Sequence, residues 1–225
     1  MQTVFTGHLA WKFQGDWTRM DSAERNAVVR QSIEEVTGVF ARREGRVTLR
    51  GAYLTKAFRA DTDVLWFMYG PSADEIQDLV VDLGRTRAGR SAHVPWSFVG
   101  VTAEAEFNKA HTPAFLRGVP PKKYLCFYPF IRTPEWYLLP ADERALMLKE
   151  HGEFGREFPE VRTNNVHAFG LGDYEWLLSF ETDDLALLMR MVRRQREARA
   201  RAYTKHEWPF IVGRRFEVPE LFERL

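Results

Sequence analysis

Only one of the 225 residues is a cysteine. Cys126 therefore has no intrachain disulfide partner and cannot build a cysteine-rich zinc cluster, which fits a reducing compartment. Its place in Tyr124-Leu-Cys-Phe-Tyr128 is that of an inert thiol inside a strand. An excess of either charge is missing as well. The 32 Lys and Arg against 31 Asp and Glu leave a formal net charge of +1, which argues against a dedicated nucleic-acid binder. No run approaches the roughly 18 apolar residues of a membrane span. The first residues have neither the basic start nor the continuous apolar core of a secretion signal. A cytoplasmic protein that binds no nucleic acid and has no transmembrane segment is expected.

Aromatic side chains are abundant: seven Trp, seven Tyr and seventeen Phe make up 14% of the chain. Their first use is a bulky core between sheet and helices. Flat rings also suit the walls of a macrocycle pocket.

Period-2 and period-3.6 patterns give the order of elements. Residues 2–13 read as a strand. A helix opens at Asp21-Ser-Ala-Glu24 and carries Val29, Ile33, Val36 and Phe40 on one face. Residues 46–55 and 63–69 are β-rich, and Ser72-Ala-Asp-Glu75 is a capping box before a second helix. Residues 93–101 close the set as β-α-β-β-α-β. The second half repeats it. A strand at 123–131 leads to a helix at 141–158 that begins after Pro140, and a hairpin over 161–181 turns at Gly172-Asp173. Thr182-Asp-Asp184 then caps a long helix with Leu185, Leu188, Met189 and Val192, and a last strand covers 207–214. The expected fold class is α+β, with tandem ferredoxin-like repeats and antiparallel sheets of the dimeric α+β barrel type. Residues 1–105 form the first repeat, 106–121 a connector, and 122–225 the second, cofactor-binding repeat.

The chemistry concentrates between Tyr128 and His151. In the helix at 141–158, Met147, Phe154 and Phe158 mark an apolar stripe, and His151 falls on it. A lone inward-facing His is more often a hydrogen-bonded core residue. The alternative is an axial ligand offering a neutral imidazole nitrogen to haem iron. No second His or Cys stands at chelating spacing on this helix, so a porphyrin needing one protein ligand is easier to build than a zinc site. Tyr128 lies on the preceding strand with Arg132 four residues on, hence on the same side by the period-2 rule. A phenol beside a guanidinium suits oxidation of a carboxylate-bearing side chain, because guanidinium grips both carboxylate oxygens. The final helix turns basic along its length, with Arg190, Arg193, Arg194, Arg199 and Arg201. Arg196 is its best candidate to meet an anionic cofactor from the core face. His111 sits in the connector, where a polar linker role is the ordinary reading.

These residues carry a resemblance. Phe107-Asn-Lys-Ala-His111, Tyr128-Pro-Phe-Ile-Arg132, Glu135-Trp-Tyr-Leu-Leu-Pro140, Glu150-His-Gly152, Asp173-Tyr-Glu-Trp176 and Pro209-Phe-Ile-Val-Gly-Arg214 together resemble the chlorite dismutase family, in particular its actinobacterial coproheme decarboxylases. The likeness implies that iron coproporphyrin III (coproheme) is both substrate and redox cofactor. It implies His151 as the proximal metal ligand, Tyr128 as the oxidising radical at the cofactor, Arg132 near the propionates and His111 as distal base. It further implies peroxide-dependent decarboxylation of two propionates to vinyls, giving haem b. A homopentamer and transient contact with a coproporphyrin ferrochelatase come with the same resemblance.

One departure stands out. Chlorite dismutases proper carry a distal arginine on the strand after the proximal helix, and alignment on Tyr174-Glu-Trp176 puts Thr163 there. Arg162 is one residue away and in a regular strand faces the other side. The rival readings are a haem-binding chlorite dismutase or peroxidase, a haem or coproheme carrier without turnover, and a cofactor-free α+β barrel monooxygenase that would leave His151 without purpose.

Overall fold

The computed structural model describes all residues except 1–2, 16, 18–19 and 103–111. These divide into two compact units: the described residues of Gln2–Thr102 with Ile211–Leu225, and those of Ala103–Phe210.

The first unit runs β1 (Phe5–Phe13), α1 (Ser22–Arg42), β2 (Thr48–Leu54), β3 (Val64–Gly70), α2 (Ala73–Arg85), a single turn α3 (Arg87–Arg90) and β4 (Ala92–Val101). Its helices start where the capping residues stand. The Asp21 carboxylate accepts from the Ala23 and Glu24 amides at 2.9 Å, and the Ser72 hydroxyl accepts from the Glu75 amide at 3.2 Å. Antiparallel pairing of β4 with β1, β1 with β3 and β3 with β2 gives the ferredoxin-like order 4-1-3-2. One face buries Trp11, Trp66 and Met68 against Val36 and Val39 of α1 and Ile76, Leu79 and Leu83 of α2. Trp11 and Trp66 meet edge to face, with centroids 5.3 Å apart.

The C-terminal end departs from the expected division. Residues 207–210 lie between two strands, β9 (Thr204–His206) and β10 (Ile211–Phe216). β10 pairs antiparallel with β2, Arg214 opposite Leu54 and Phe216 opposite Ala52. Helix α7 (Val218–Glu223) then buries Leu221 and Phe222 completely in the first unit's core. Within its own four-stranded sheet β2 is an edge, and β10 satisfies backbone groups left open there. The segment expected to finish the second repeat belongs with the first.

In the second unit β5 (Tyr124–Arg132) is followed by α4 (Pro134–Leu138) and α5 (Ala141–Arg156). The expected strand over 161–171 is two fragments, β6 (Arg162–Thr163) and β7 (Val166–His167), both paired with β8 (Trp176–Thr182). β8 pairs with β5 and β5 with β9, so the unit has the same order as the first. Asp184 caps α6 (Leu185–Gln195) by accepting from the Ala186 amide at 2.7 Å. The helix stops at Gln195, well short of Arg201, and a 3-10 turn takes over at Arg199–Tyr203.

Two features of the first unit carry predictions. Ala57 adopts φ 74°, a left-handed backbone that a Cβ disfavours. Ala57→Gly should relieve that strain, partly offset by greater freedom of the unfolded chain. A net gain of about 0.5–1 kcal/mol is expected from the denaturation midpoint. His8 is buried, its ring stacked on Phe67 at 4.3 Å, and burial pushes its imidazole from 6.5 down to about 3. Neutral in the fold but protonated once unfolded, it reduces stability as pH falls from 6.5 toward 3, by about 1.4 kcal/mol per pH unit. Denaturation at pH 6.5 and pH 4.5 should show a steeper loss for the native chain than for His8→Gln.

Candidate functional site

Alternation along β5 sends Cys126, Tyr128, Phe130 and Arg132 to one face and Leu125 and Phe127, both fully buried, to the other. Contacts agree with that parity. Phe130 stacks on its cross-strand partner Trp176 at 5.9 Å, and the Arg132 guanidinium lies 5.1 Å over Phe130. Tyr128 is buried, stacked on Phe210 at 4.2 Å and tilted against Phe180 at 5.9 Å.

The surroundings of the phenol are charged despite this burial. Loss of water pushes its pKa well above the ordinary value, and Cys126 and Glu207 push the same way. Arg196 and Arg201 oppose them. Arg196, at the C-cap of α6, forms an ion pair with Glu207. Arg201, in the 3-10 turn, places Nη1 3.0 Å from the other oxygen of the same carboxylate. Arg196 thus acts electrostatically on the phenol while paired with Glu207. Arg199, expected on the same helical face, instead gives its backbone N–H and Nε to Glu150 at 2.8 and 3.2 Å. Arg194 is held by Glu157 and Glu197.

His151 lies on α5, half-buried, with its carbonyl accepting from Gln195 Nε2 at 3.3 Å. Met147, one turn earlier, is buried with Trp136 and Ala200. The imidazole therefore belongs to a helix that touches the end of α6 and the turn bearing Arg201.

Arg132 is buried and more committed than a free carboxylate clamp would be. Nη1 donates to the Ala200 carbonyl at 2.7 Å, and the guanidinium lies 4.3 Å over the Trp136 ring. Burial lowers its pKa to about 10, which still leaves it charged at neutrality. Glu175 receives the Arg132 backbone N–H at 2.8 Å and the Tyr137 hydroxyl at 2.6 Å. Trp136, Glu175, Arg201 and Glu207 had no assigned role in the sequence. The Arg201–Glu207 pairing depends on where the chain returns after Gln195, which no local pattern encodes.

His111 lies outside the described residues. Thr163 pairs with Phe180 in the ladder and Arg162 with Glu181. Cross-strand partners share a face, so Thr163 is on the Tyr128 side, while the Arg162 guanidinium donates to the Pro120 carbonyl.

The donor set fits an iron porphyrin: one half-buried imidazole, guanidiniums for carboxylates, and flat apolar walls around a buried phenol. Among the described residues no three His, Cys, Asp or Glu side chains converge on a metal-sized site, and no helix is long and apolar enough to cross a membrane.

Two antiparallel ferredoxin-like units, one holding this imidazole, phenol and guanidinium set, define an α+β protein of the chlorite dismutase fold. The solved chlorite dismutase of Candidatus Nitrospira defluvii superposes with a TM-score of 0.87 over 98% of this chain and 94% of that one, at 19% identity. The sequence pattern of the family described as chlorite dismutase matches residues 29–216. The chain belongs to the chlorite dismutase family. A coproheme decarboxylase of Mycolicibacterium smegmatis is 42% identical over 195 residues, covering 86% of this chain and 84% of the relative. A coproheme decarboxylase of Thermus thermophilus is 29% identical over 176 residues, 73% of this chain and 70% of the relative. The chain is an enzyme of this family.

Proposed function

We propose that this enzyme is a coproheme decarboxylase, converting two propionates of iron coproporphyrin III to vinyls with hydrogen peroxide and yielding haem b. The observation that carries the reading is the buried Tyr128 phenol flanked by Arg196, Arg201 and Glu207, in the unit that also bears the half-buried His151. Names and identity of the two decarboxylase relatives support the substrate class.

Bound iron coproporphyrin III is the substrate and, with peroxide, the source of oxidising equivalents. His151 offers its imidazole to the iron. Tyr128 gives up an electron and a proton, then regains a hydrogen from the propionate carbon beside the ring. Each cycle converts one propionate carboxylate, one peroxide and one proton into one vinyl group, one carbon dioxide and two waters, which balances atoms and charge. Tyr128 is suited to a radical rather than an anionic role, because burial raises the phenol further above its ordinary value of 10 and disfavours the phenolate. The arginines hold the carboxylate that reacts, while Arg132 adds a positive charge on the same sheet face and fixes the Ala200 turn. His111 takes the peroxide proton. A cytoplasmic ring of five with transient ferrochelatase contact belongs to the same proposal.

Thr163 on the Tyr128 side, where chlorite dismutases proper carry arginine, weighs against chlorite conversion. Adding iron coproporphyrin III and peroxide to the purified protein tests the reading. Mass spectra should show stoichiometric haem b, whereas coproheme bound but unreacted would mark a carrier.

A further inference from the structure

The following inference rests on the coproheme reading. Glu207 stands just after β9, and its carboxylate is shared by two guanidiniums. Its side chain is 17% exposed, against 36% for Arg196 and 37% for Arg201. The carboxylate therefore takes the inner position and the two cations keep an open side. Neighbouring arginines are occupied elsewhere, Arg194 by Glu157 and Glu197 and Arg199 by Glu150. The pair on Glu207 is felt electrostatically by the Tyr128 phenol.

The chemistry of the occupant is informative. A glutamate side chain is two methylenes ending in a carboxylate, which is the same group as a porphyrin propionate. The guanidiniums beside the oxidising phenol are thus already holding the functional group on which that phenol acts. Vinyl, the product group, has no oxygen to offer a guanidinium.

We propose that Glu207 is a built-in stand-in for a substrate propionate. It occupies Arg196 and Arg201 before substrate enters, yields them to the incoming propionate, and takes them back once that propionate has become a vinyl group. Glu207 is a positioning residue in this scheme. It weakens substrate binding somewhat, and it gives the two partly exposed arginines a partner when decarboxylation removes theirs. The discrimination falls on the reacting edge of the macrocycle.

The test is binding of two metal-free porphyrins, which removes the iron–His151 bond from the comparison. Coproporphyrin III carries four propionates, and protoporphyrin IX has vinyls in place of the two that react. For Glu207→Gln, fluorescence titration at low salt should show coproporphyrin III binding roughly fivefold tighter, the scale of one partly exposed ion pair. The gain should shrink at high salt, and protoporphyrin IX should change less than about twofold. Glu197→Gln, which removes an equal charge from the Arg194 pair, should alter neither titration. Equal tightening for both porphyrins, or weaker coproporphyrin III binding, overturns the proposal. If Glu207→Gln does not fold, Glu207→Asp carries the test, because its shorter stem weakens the closure. A smaller tightening confined to coproporphyrin III is then expected, and no change overturns the proposal. A native chain that binds neither porphyrin overturns the coproheme reading together with this inference. A chain that converts coproheme but shows no porphyrin-selective effect of Glu207→Gln overturns the inference alone.

Discussion

Tyr128→Phe should bind iron coproporphyrin III as the native chain does and make almost no haem b. The ring itself is a packing element, stacked on Phe210 at 4.2 Å and against Phe180 at 5.9 Å, and phenylalanine keeps both contacts. What disappears is the O–H bond. Benzene carbon cannot supply the electron and proton that a phenol gives up, so the hydrogen on the propionate carbon stays in place. Decarboxylation should fall at least about 10²-fold, the lower range for removing a group that moves a proton in the transition state. Mass spectrometry after peroxide addition should find intact coproheme. Normal haem b formation by this variant would exclude Tyr128 as the oxidant.

His151→Ala should leave the protein folded and lower its affinity for iron coproporphyrin III. Half-buried on α5, the imidazole contributes little core area, and the buried contacts on that helix belong to Met147. The Gln195 amide bonds the His151 carbonyl, which alanine retains. Loss of an outer-shell partner typically costs 10- to 100-fold in metal affinity, and loss of the ligand itself should cost at least that. Metal-free coproporphyrin III, which makes no bond to the imidazole, should bind both proteins alike. The visible spectrum of the bound iron should shift and recover on adding free imidazole. An unchanged spectrum would remove His151 from the coordination sphere.

Both residues were legible in the sequence because each is fixed by local periodicity. His151 follows the buried Met147 by one turn of α5, and Tyr128 and Arg132 stand four residues apart on β5, whose pairing with β9 shifts register between Ile131 and Arg132. Capping signals at Asp21, Ser72 and Asp184 likewise mark helix starts that the structure keeps. The errors arise where tertiary pairing overrules local preference. Residues 196–201 are Arg, Glu and Ala, all good helix formers, and they read as a continuing helix. Ala198 nevertheless turns extended, with φ −68° and ψ 136°. Arg196 is drawn to Glu207, and the Arg199 amide to Glu150. The Glu150 contact joins residues 49 apart, and the Glu207 pairs need the chain to leave the helix and return through the turn at Arg199–Tyr203. The same holds for β10, whose partner β2 lies about 160 residues earlier.

That long-range pairing embeds one unit inside the other along the chain. The first unit begins near the N-terminus but borrows its outer strand and closing helix from Ile211–Leu225. During synthesis the second unit can therefore be complete while the first still waits for its edge. A chain stopped at Phe210 would retain every residue of the catalytic proposal and lose Leu221 and Phe222 from the other unit's core. Residues 211–225 finish a unit most of which is synthesised before the second unit begins.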